Sequence, residues 1–338
     1  MNKLSALLAT GRISNLPTVW SNILIGFLSV HGGALLLSAG PPDLSLLPLY
    51  LFACLTASLL YVGGCFLGDA VDLEFDLAHK PERPIPTGVL ERTGIYQAAF
   101  AMLSLGTLLP IASVWFTTTD RTIQFTLTAC TLALTASIVA YSYWHKKSAW
   151  AGLPLIGACR FFLILFAAAA AWAHAPDTDP ISPMHELLNA STSSPQLPWM
   201  TAAVVGVYTI SFASVARSES SPRPITWRKA LIAIMLMLPL IPFLPALLDH
   251  HESLTLQDVF LAYPHAISFI TALLVYWVWM GAAFLQINKN KGSFVAMSLA
   301  GFSLLDATSA GAFGWPLFFA TLLLFIAALT LQKWAPAT

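Results

Sequence analysis

The chain has 338 residues, of which 57% are hydrophobic and only 9% are charged, and its mean hydropathy is +0.74. A soluble protein of this length could not hide so much apolar surface from water, so the composition indicates a membrane protein. Lysine plus arginine and aspartate plus glutamate number 16 each, and this balance gives no sign of a nucleic-acid partner.

Apolar runs long enough to cross a bilayer as helices, about 20 residues each, recur along the whole chain. In chain order they are 18–36, 47–67, 94–116, 122–143, 152–172, 198–216, 229–248, 266–287 and 315–331. A further run, 294–312, contains Asp306 among serine, threonine and glycine, and it could span, re-enter or lie along the interface. The sequence predicts an all-α polytopic membrane protein of one domain, 1–338, with nine helices, or ten if this run also spans.

Basic residues occupy every second connection between these runs, whereas the connections in between hold only Arg121. Under the positive-inside rule, this alternation places the N-terminus and the even-numbered connections in the cytoplasm. We therefore expect a multi-pass protein of the cell's inner membrane whose basic loops are cytoplasmic.

An acidic stretch follows the second predicted helix and reads GDAVDLEFDLAH, residues 68–79. Asp69, Asp72 and Asp76 are spaced i, i+3 and i+7, so a helix would place all three carboxylates on one face. Unpaired carboxylates beside a bilayer repel one another, and clustered hard oxygen ligands suit Mg²⁺ bound together with a substrate phosphate. The spacing therefore predicts a site for a divalent cation.

A basic, proline-rich turn comes next. Lys80 and Arg83 offer cationic donors to phosphate oxygens, and the prolines turn the chain so that it could fold back over the site. The simplest alternative is a solvated loop of mixed charge. Such a loop need not align three acids on one stripe ahead of a basic turn, so we favour a diphosphate site.

These residues resemble the first Asp-rich motif of the UbiA superfamily of intramembrane prenyltransferases, in which Asn-Asp-x-x-Asp-x-x-x-Asp precedes Arg-Pro-x-Pro-x-Gly. Gly68 stands where the superfamily has its leading Asn. The matching residues are Asp69, Asp72, Asp76, Arg83, Pro84, Pro86 and Gly88.

Other segments resemble the superfamily in the same order along the chain. Arg12, Asn15 and Asn22 resemble its N-terminal signature, and YSYWHK at the end of the fourth helix supplies a matching Tyr141 and Lys146. By this resemblance, Lys146 is expected to be a diphosphate donor.

Arg160, deep in the fifth helix, matches an arginine found in part of the superfamily, although a structural ion pair would explain it nearly as well. The second Asp-rich motif is reduced, because residues 208–224 read YTISFASVARSESSPRP and contain only Glu219 as an acid. The resemblance implies that Glu219 alone holds a second metal ion or that the cation of Arg217 replaces it. The Ala-Arg-x-Glu pattern resembles a divergent branch that includes the EboC-like proteins.

The resemblance implies a UbiA-like bundle and Mg²⁺-dependent transfer of a prenyl group from an allylic prenyl diphosphate to an unidentified acceptor. The residues expected to act on the leaving diphosphate are Asp69, Asp72, Asp76, Arg83 and Lys146, and the expected metal ligands are Asp69, Asp72, Asp76 and Glu219. The expected substrate-binding residues are Arg12, Asn15, Asn22, Lys80, Tyr141, Arg160, Tyr208, Arg217 and Glu219.

Three other interpretations remain open from the residues. A secondary transporter would also have nine or ten helices, but carriers bind near the bilayer midplane, where this chain has only Arg160 and Asp306. A CDP-alcohol phosphotransferase would carry its aspartates and its Ala-Arg pair in one motif, whereas here they lie far apart. The third interpretation is a non-catalytic relative of the superfamily, which the reduced second motif would allow.

Overall fold

The structure is a computed structural model that describes residues 2–37, 46–146, 149–173, 198–218, 225–243 and 265–334. Every regular element within these ranges is helical, with short 3₁₀ helices at Ile13–Asn15 and Leu238–Phe243. The α-helices are α1 Lys3–Thr10, α2 Leu16–Leu37, α3 Leu47–Val71, α4 Leu73–His79, α5 Arg92–Thr117, α6 Arg121–Trp144, α7 Ala149–Trp172, α8 Pro198–Ala216, α9 Arg228–Met237, α10 Ala266–Phe284, α11 Lys291–Gly311 and α12 Trp315–Trp334.

Nine helices in the described ranges are long and apolar enough to cross a bilayer. The prediction of an all-α polytopic membrane protein is therefore confirmed. The run 294–312, whose course was left open, forms α11, and 83% of its membrane-length window is buried inside the bundle. Its serine, threonine and glycine residues suit this interior position, because small residues let helices approach closely and hydroxyls bond back to the helix.

The prediction of a continuous helix over 229–248 is wrong. Helix α9 ends at Met237, and a 3₁₀ helix continues only to Phe243, after which 244–264 lie outside the described residues. Pro239 and Pro242 account for the break, because proline has no N–H to donate and its ring crowds the preceding turn.

This broken segment nevertheless runs beside α10 in the opposite direction. The hydroxyl of Tyr276, in the middle of α10, donates to the backbone oxygen of Met235 at 2.6 Å. Further along, the rings of Phe243 and Phe269 lie 4.7 Å apart, close to the residue where α10 begins. The segment from Arg228 to Phe243 therefore passes from one face of the bundle to the other, and we count it as a tenth crossing.

The connections that follow α8 and α10 meet on one face of the bundle. Lys291 Nζ donates to the backbone oxygen of Ser218 at 2.7 Å, and the backbone N–H of Ile225 donates to Asn288 Oδ1 at 3.3 Å. Of the predicted site residues, this same face holds Asp69, Asp72, Asp76, Lys146 and Arg217, because α3, α6 and α8 all end there.

Helices α2 and α7 pack closely in the middle of the bundle, between the two large apolar clusters. A Cβ added at Gly26 would lie 2.5 Å from the Cβ of Ala167 and 2.9 Å from the backbone oxygen of Ile164. Only glycine fits at this crossing. The close approach brings the polar residues of α2 against Arg160 of α7.

Candidate active site

The three predicted aspartates lie where α3 passes into α4. Asp72 interrupts regular helix geometry with φ −79° and ψ 0°, yet its N–H still bonds the oxygen of Gly68 at 2.9 Å. The N–H of Asp76 likewise bonds the oxygen of Asp72 at 2.8 Å. This continuity keeps the three carboxylates on one side of the chain, where they meet basic side chains from three other segments.

Asp76 is the most enclosed of the three, with 1% of its surface exposed. Its Oδ2 pairs with Arg83 Nη1 at 2.8 Å, and its Oδ1 pairs with Lys146 Nζ at 3.2 Å. Both oxygens are therefore engaged by cations, and the side chain does not line the cavity described below. Asp76 fixes the positions of Arg83 and Lys146.

Asp72 faces the end of α6. Its Oδ2 lies 2.9 Å from Lys146 Nζ and 3.2 Å from His145 Nε2. Burial on its own raises the pKa of Asp72, but the hydrogen bonds and charges of His145 and Lys146 outweigh burial, so the pKa is lowered overall. Lys146 also lies 3.8 Å from the ring centroid of Phe75, a favourable cation–π position.

Asp69 connects the cluster to the N-terminal segment. Its Oδ1 lies 3.1 Å from Arg12 Nη2 and 3.5 Å from Arg83 Nη1. Arg12 adopts a left-handed backbone conformation, with φ 47° and ψ 46°, between α1 and the first 3₁₀ helix. Such a conformation is uncommon outside glycine, and here it accompanies the ion pair of Arg12 with Asp69.

One oxygen each of Asp69 and Asp72 accepts no hydrogen bond from the described residues. Both side chains line the cavity, so these oxygens are available to a hard cation that also binds phosphate. In the described part of the chain, however, no group of three or more His, Cys, Asp or Glu residues is placed to hold a metal. Asp69 and Asp72 fit one Mg²⁺, whereas Asp76 is committed to its cations.

A cavity of about 600 Å³ opens beside this cluster and extends between the helices. Of the predicted site residues, those that line it are Arg12, Asn15, Asp69, Asp72, Lys80, Arg83, Tyr141, Lys146, Arg160 and Arg217. Most of its other lining residues are apolar and come from α2, α3, α6, α7, α8 and α11. The arrangement is a charged mouth on a mainly apolar interior, which suits a ligand with an anionic head and a hydrocarbon tail.

Arg217 is exposed at the end of α8 and forms no ion pair with a carboxylate of the described residues. It passes close to Gly152 of α7, where an added Cβ would lie 2.6 Å from Arg217 Nη1. Glu219 lies outside the described residues, so its predicted role as a metal ligand stays a prediction.

Two predicted substrate-binding residues are held away from the cavity. The hydroxyl of Tyr208 donates to the backbone oxygen of Ser298 at 2.8 Å, and its ring packs at 5.0 Å from that of Phe302. Asn22 is fully buried and bonds Arg160 and Asp306. Tyr208 therefore packs inside the bundle, and Asn22 links Arg160 to Asp306.

Sequence reasoning missed His145. Its Nε2 faces Asp72, and its Nδ1 lies 2.9 Å from the backbone oxygen of Tyr141, so both ring nitrogens face acceptors. The ring also stacks on Tyr141 and lines the cavity. The available signal was its place directly before Lys146 in the YSYWHK motif, one helical turn after Tyr141.

Arg160 and Asp306 belong to one buried cluster but do not touch. Arg160 Nη1 donates to Asn22 Oδ1 at 2.6 Å, and Asn22 Nδ2 donates to Asp306 Oδ2 at 2.7 Å. Ser21 Oγ donates to the same oxygen at 2.5 Å. The direct partner of Arg160 is therefore the neutral amide of Asn22. The carboxylate of Asp306 bonds to the other end of that amide.

No protein-family model matches the chain. Two curated relatives share segments with it, and both are named digeranylgeranylglyceryl phosphate synthase. The relative from Ignicoccus hospitalis is 40% identical over 60 residues, which are 18% of this chain and 20% of that protein. The relative from Korarchaeum cryptofilum is 28% identical over 121 residues, which are 36% of this chain and 40% of that protein.

A solved structure described as digeranylgeranylglyceryl phosphate synthase in membranes, a UbiA-superfamily protein, aligns with 98% of this chain and 100% of its own, with a TM-score of 0.52 and 16% identity. The chain has the UbiA fold. The predicted resemblance to the UbiA superfamily is thereby confirmed at the level of the fold. The placement in the EboC-like branch of the UbiA superfamily stays a prediction.

Proposed function

We propose that the chain transfers a prenyl group from an allylic prenyl diphosphate to an acceptor within the membrane. The observation that carries the proposal is the cluster of cations and aspartates at the mouth of a cavity that is mainly apolar inside. The UbiA fold and the names of the two relatives support it. A diphosphate at the mouth would leave the hydrocarbon tail in the apolar interior.

In the proposed reaction, the bond between the first carbon of the prenyl chain and the diphosphate oxygen breaks, and its electron pair leaves with the diphosphate. A nucleophilic atom of the acceptor bonds to that carbon and releases a proton to water at the mouth. Arg12, Arg83, Lys146 and Arg217 would donate to the diphosphate oxygens as their negative charge grows. Because the ion pairs with aspartates hold Arg12, Arg83 and Lys146 in place beforehand, little reorganisation is needed at the moment of reaction.

We propose that Mg²⁺ joins this site through Asp69 and Asp72. Bound there, Mg²⁺ would neutralise charge on the leaving diphosphate. Lys80 and His145, which also line the mouth, would contact the remaining oxygens. Arg217 in particular would supply positive charge where the reduced second motif offers few carboxylates.

We further propose that the mouth faces the cytoplasm and that the protein belongs to the inner membrane of its cell. The basic residues of the alternate connections support this orientation under the positive-inside rule. The substrates with charged heads would then reach the site from the cytoplasm.

The test is thermal stabilisation of the detergent-purified protein by thiolodiphosphate analogues of prenyl diphosphates of increasing chain length, with Mg²⁺ or with EDTA. Because a ligand that binds only the folded state raises apparent stability, a specific donor must raise the melting temperature. We expect a shift that depends on Mg²⁺ and on chain length, and that is lost in Asp72→Ala.

Glu74→Ala is the matched control, since Glu74 lies on α4 beside Asp72 but is exposed and forms no ion pair with another described residue. It should retain the full shift. If no analogue shifts the wild-type protein, prenyl transfer is wrong, and the buried Arg160 and Asp306 would instead favour a secondary transporter.

A further inference from the structure

The cavity has two chemically different walls. On one side, α3 and α6 present mainly apolar side chains, among them Ala57, Leu60, Leu134 and Ile138, and the hydroxyl of Tyr61 on this side already accepts a hydrogen bond from Asn15. An isoprenoid tail lying there would contact mainly hydrocarbon and would leave no polar group without a partner.

The opposite wall, from the first 3₁₀ helix, α2, α7, α8 and α11, contains polar groups. Asn15, Arg160 and Thr209 line it together with Phe302. Asn15 donates to Tyr61 at 3.0 Å, whereas its own buried Oδ1 has no hydrogen-bond partner within the described residues. A purely hydrocarbon ligand would leave Asn15 Oδ1 without a hydrogen bond, so this wall fits a polar ligand.

Arg160 is the charged group of this wall. Its Nη1 donates to Asn22 Oδ1 at 2.6 Å and to the Thr18 oxygen at 3.3 Å, and its Nη2 donates to Thr18 Oγ1 at 3.2 Å. The guanidinium also lies 4.4 Å from the ring centroid of Phe302. Since a guanidinium has five N–H donors, these three bonds leave two donors without a partner among the described residues.

The carboxylate of Asp306 does not accept a hydrogen bond from these two donors of Arg160. Asp306 is 0% exposed and lies behind Asn22, whose amide is bonded to both charges. This relay fixes the plane of the guanidinium from the protein side and keeps Asp306 out of the cavity. The open donors of Arg160 are therefore left for a ligand in the cavity, and a planar guanidinium binds the paired oxygens of a carboxylate or phosphate best.

We infer that Arg160 binds an oxyanion, a carboxylate or a phosphate, of the acceptor, while the prenyl tail of the donor lies along the α3 and α6 wall. The inference rests on the proposed prenyl transfer, because only that reaction requires two ligands in one cavity. Arg160 follows the first residue of α7 by eleven positions, which is about 16 Å at about 1.5 Å per residue, and its side chain points back toward the mouth. The acceptor therefore enters through the cationic mouth, as an anion would, and not from the lipid.

The test is equilibrium binding of small anions to the purified protein saturated with Mg²⁺ and a prenyl thiolodiphosphate. Two probe pairs separate the two oxyanions: benzoate against neutral benzamide, and phenyl phosphate against phenol. We expect at least one anion to bind about tenfold more tightly than its neutral partner, the size of one charged hydrogen-bond pair. In Arg160→Gln, the ratio of the two affinities should fall to less than about threefold. Arg160→Lys should give an intermediate ratio, because lysine keeps the charge but lacks the paired N–H donors of the guanidinium.

Arg121→Gln is the control, since Arg121 lies at the start of α6, away from the cavity, and should leave the anion preference unchanged. The affinity of the thiolodiphosphate should remain within about threefold in Arg160→Gln, because its head binds at the mouth. An equal anion preference in Arg160→Gln, no preference in the wild type, or an equal loss of both ligands would overturn the inference. Failure of the thiolodiphosphate to bind the wild type would instead refute the proposed transfer.

Discussion

The molecule has two clusters of charge, and they are built in opposite ways. At the mouth, the aspartates pair directly with cations, as Asp76 does with Arg83 and Lys146 at 2.8 and 3.2 Å. In the buried cluster, Arg160 and Asp306 are separated by the amide of Asn22. Direct pairs can exchange partners when a diphosphate or Mg²⁺ arrives, whereas a relay of fixed hydrogen bonds holds one side chain in one orientation.

The difference follows from the surroundings of each cluster. At the mouth, the cations Arg12, Arg83 and Lys146 and the neighbouring His145 have 18 to 32% of their side chains exposed, so they can be resolvated as a ligand comes and goes. Asp306 is inside the bundle, where an unpaired charge is costly and each partner counts. The mouth is therefore suited to exchanging partners, whereas the buried cluster holds Arg160 in one fixed orientation toward the cavity.

The largest effect should come from breaking the buried cluster. Asp306→Ala removes the acceptor of Ser21 and Asn22 and leaves Arg160 without a nearby carboxylate, so we expect it to lower the free energy of unfolding by about 3–5 kcal/mol. A titration with denaturing detergent measures this value, and Glu74→Ala is the exposed control. An unchanged unfolding midpoint would mean that the cluster does not support the bundle.

The next prediction separates the aspartates of the mouth by their ability to bind metal. Asp72→Asn should weaken Mn²⁺ binding, measured by electron paramagnetic resonance with a prenyl thiolodiphosphate present, by about 100-fold because a metal ligand is lost. Asp76→Asn should weaken it by about tenfold at most, because Asp76 acts through Arg83 and Lys146. Equal losses in the two variants would make Asp76 a direct ligand.

Arg217 tests whether a cation at the mouth serves the ligand and not the fold. Because it forms no ion pair with a described carboxylate, Arg217→Gln should leave the melting temperature unchanged. We expect the affinity for the thiolodiphosphate to fall about tenfold, the value of one charged hydrogen bond. Arg121→Gln provides the same substitution away from the cavity, and a drop in melting temperature with unchanged affinity would reverse the assignment.

The smallest predicted effect concerns the space that Arg217 occupies. A Cβ at Gly152 would lie 2.6 Å from Arg217 Nη1 and 2.9 Å from the backbone oxygen of His145, so Gly152→Ala should push the guanidinium aside and also displace the backbone at His145. We expect the affinity for the thiolodiphosphate to fall about threefold, a fraction of the full hydrogen bond. Gly94→Ala is the control, because a Cβ there meets nothing within 4 Å.

Much of the fold was readable from the sequence, because about 20 apolar residues in a row have few alternatives to a membrane helix. The spacing of Asp69, Asp72 and Asp76 likewise located the mouth. The break in 229–248 was missed because its apolar content outweighed Pro239 and Pro242, although these two residues carried the signal. A criterion based only on the length of an apolar run does not take account of prolines within that run.

The partners within the site could not be predicted. Asn22 and Asp306 lie 284 positions apart, and nothing local in the sequence shows that they meet. The packing of Tyr208 is a second example, since its sequence context carried no sign that its hydroxyl donates to the backbone of α11. Which polar groups remain open for a substrate depends on helix packing.

Among the described residues, the short, proline-broken segment beside α10 makes the number of passes across the bundle even. The end of α12 therefore returns to the face of the bundle where α1 begins, and Gln332 Nε2 donates there to the backbone oxygen of Ala296, near the start of α11. A fluorescent or enzymatic reporter fused behind α12 would consequently occupy the same compartment as the charged mouth. Deleting the broken segment would place that reporter on the opposite side of the membrane from the mouth.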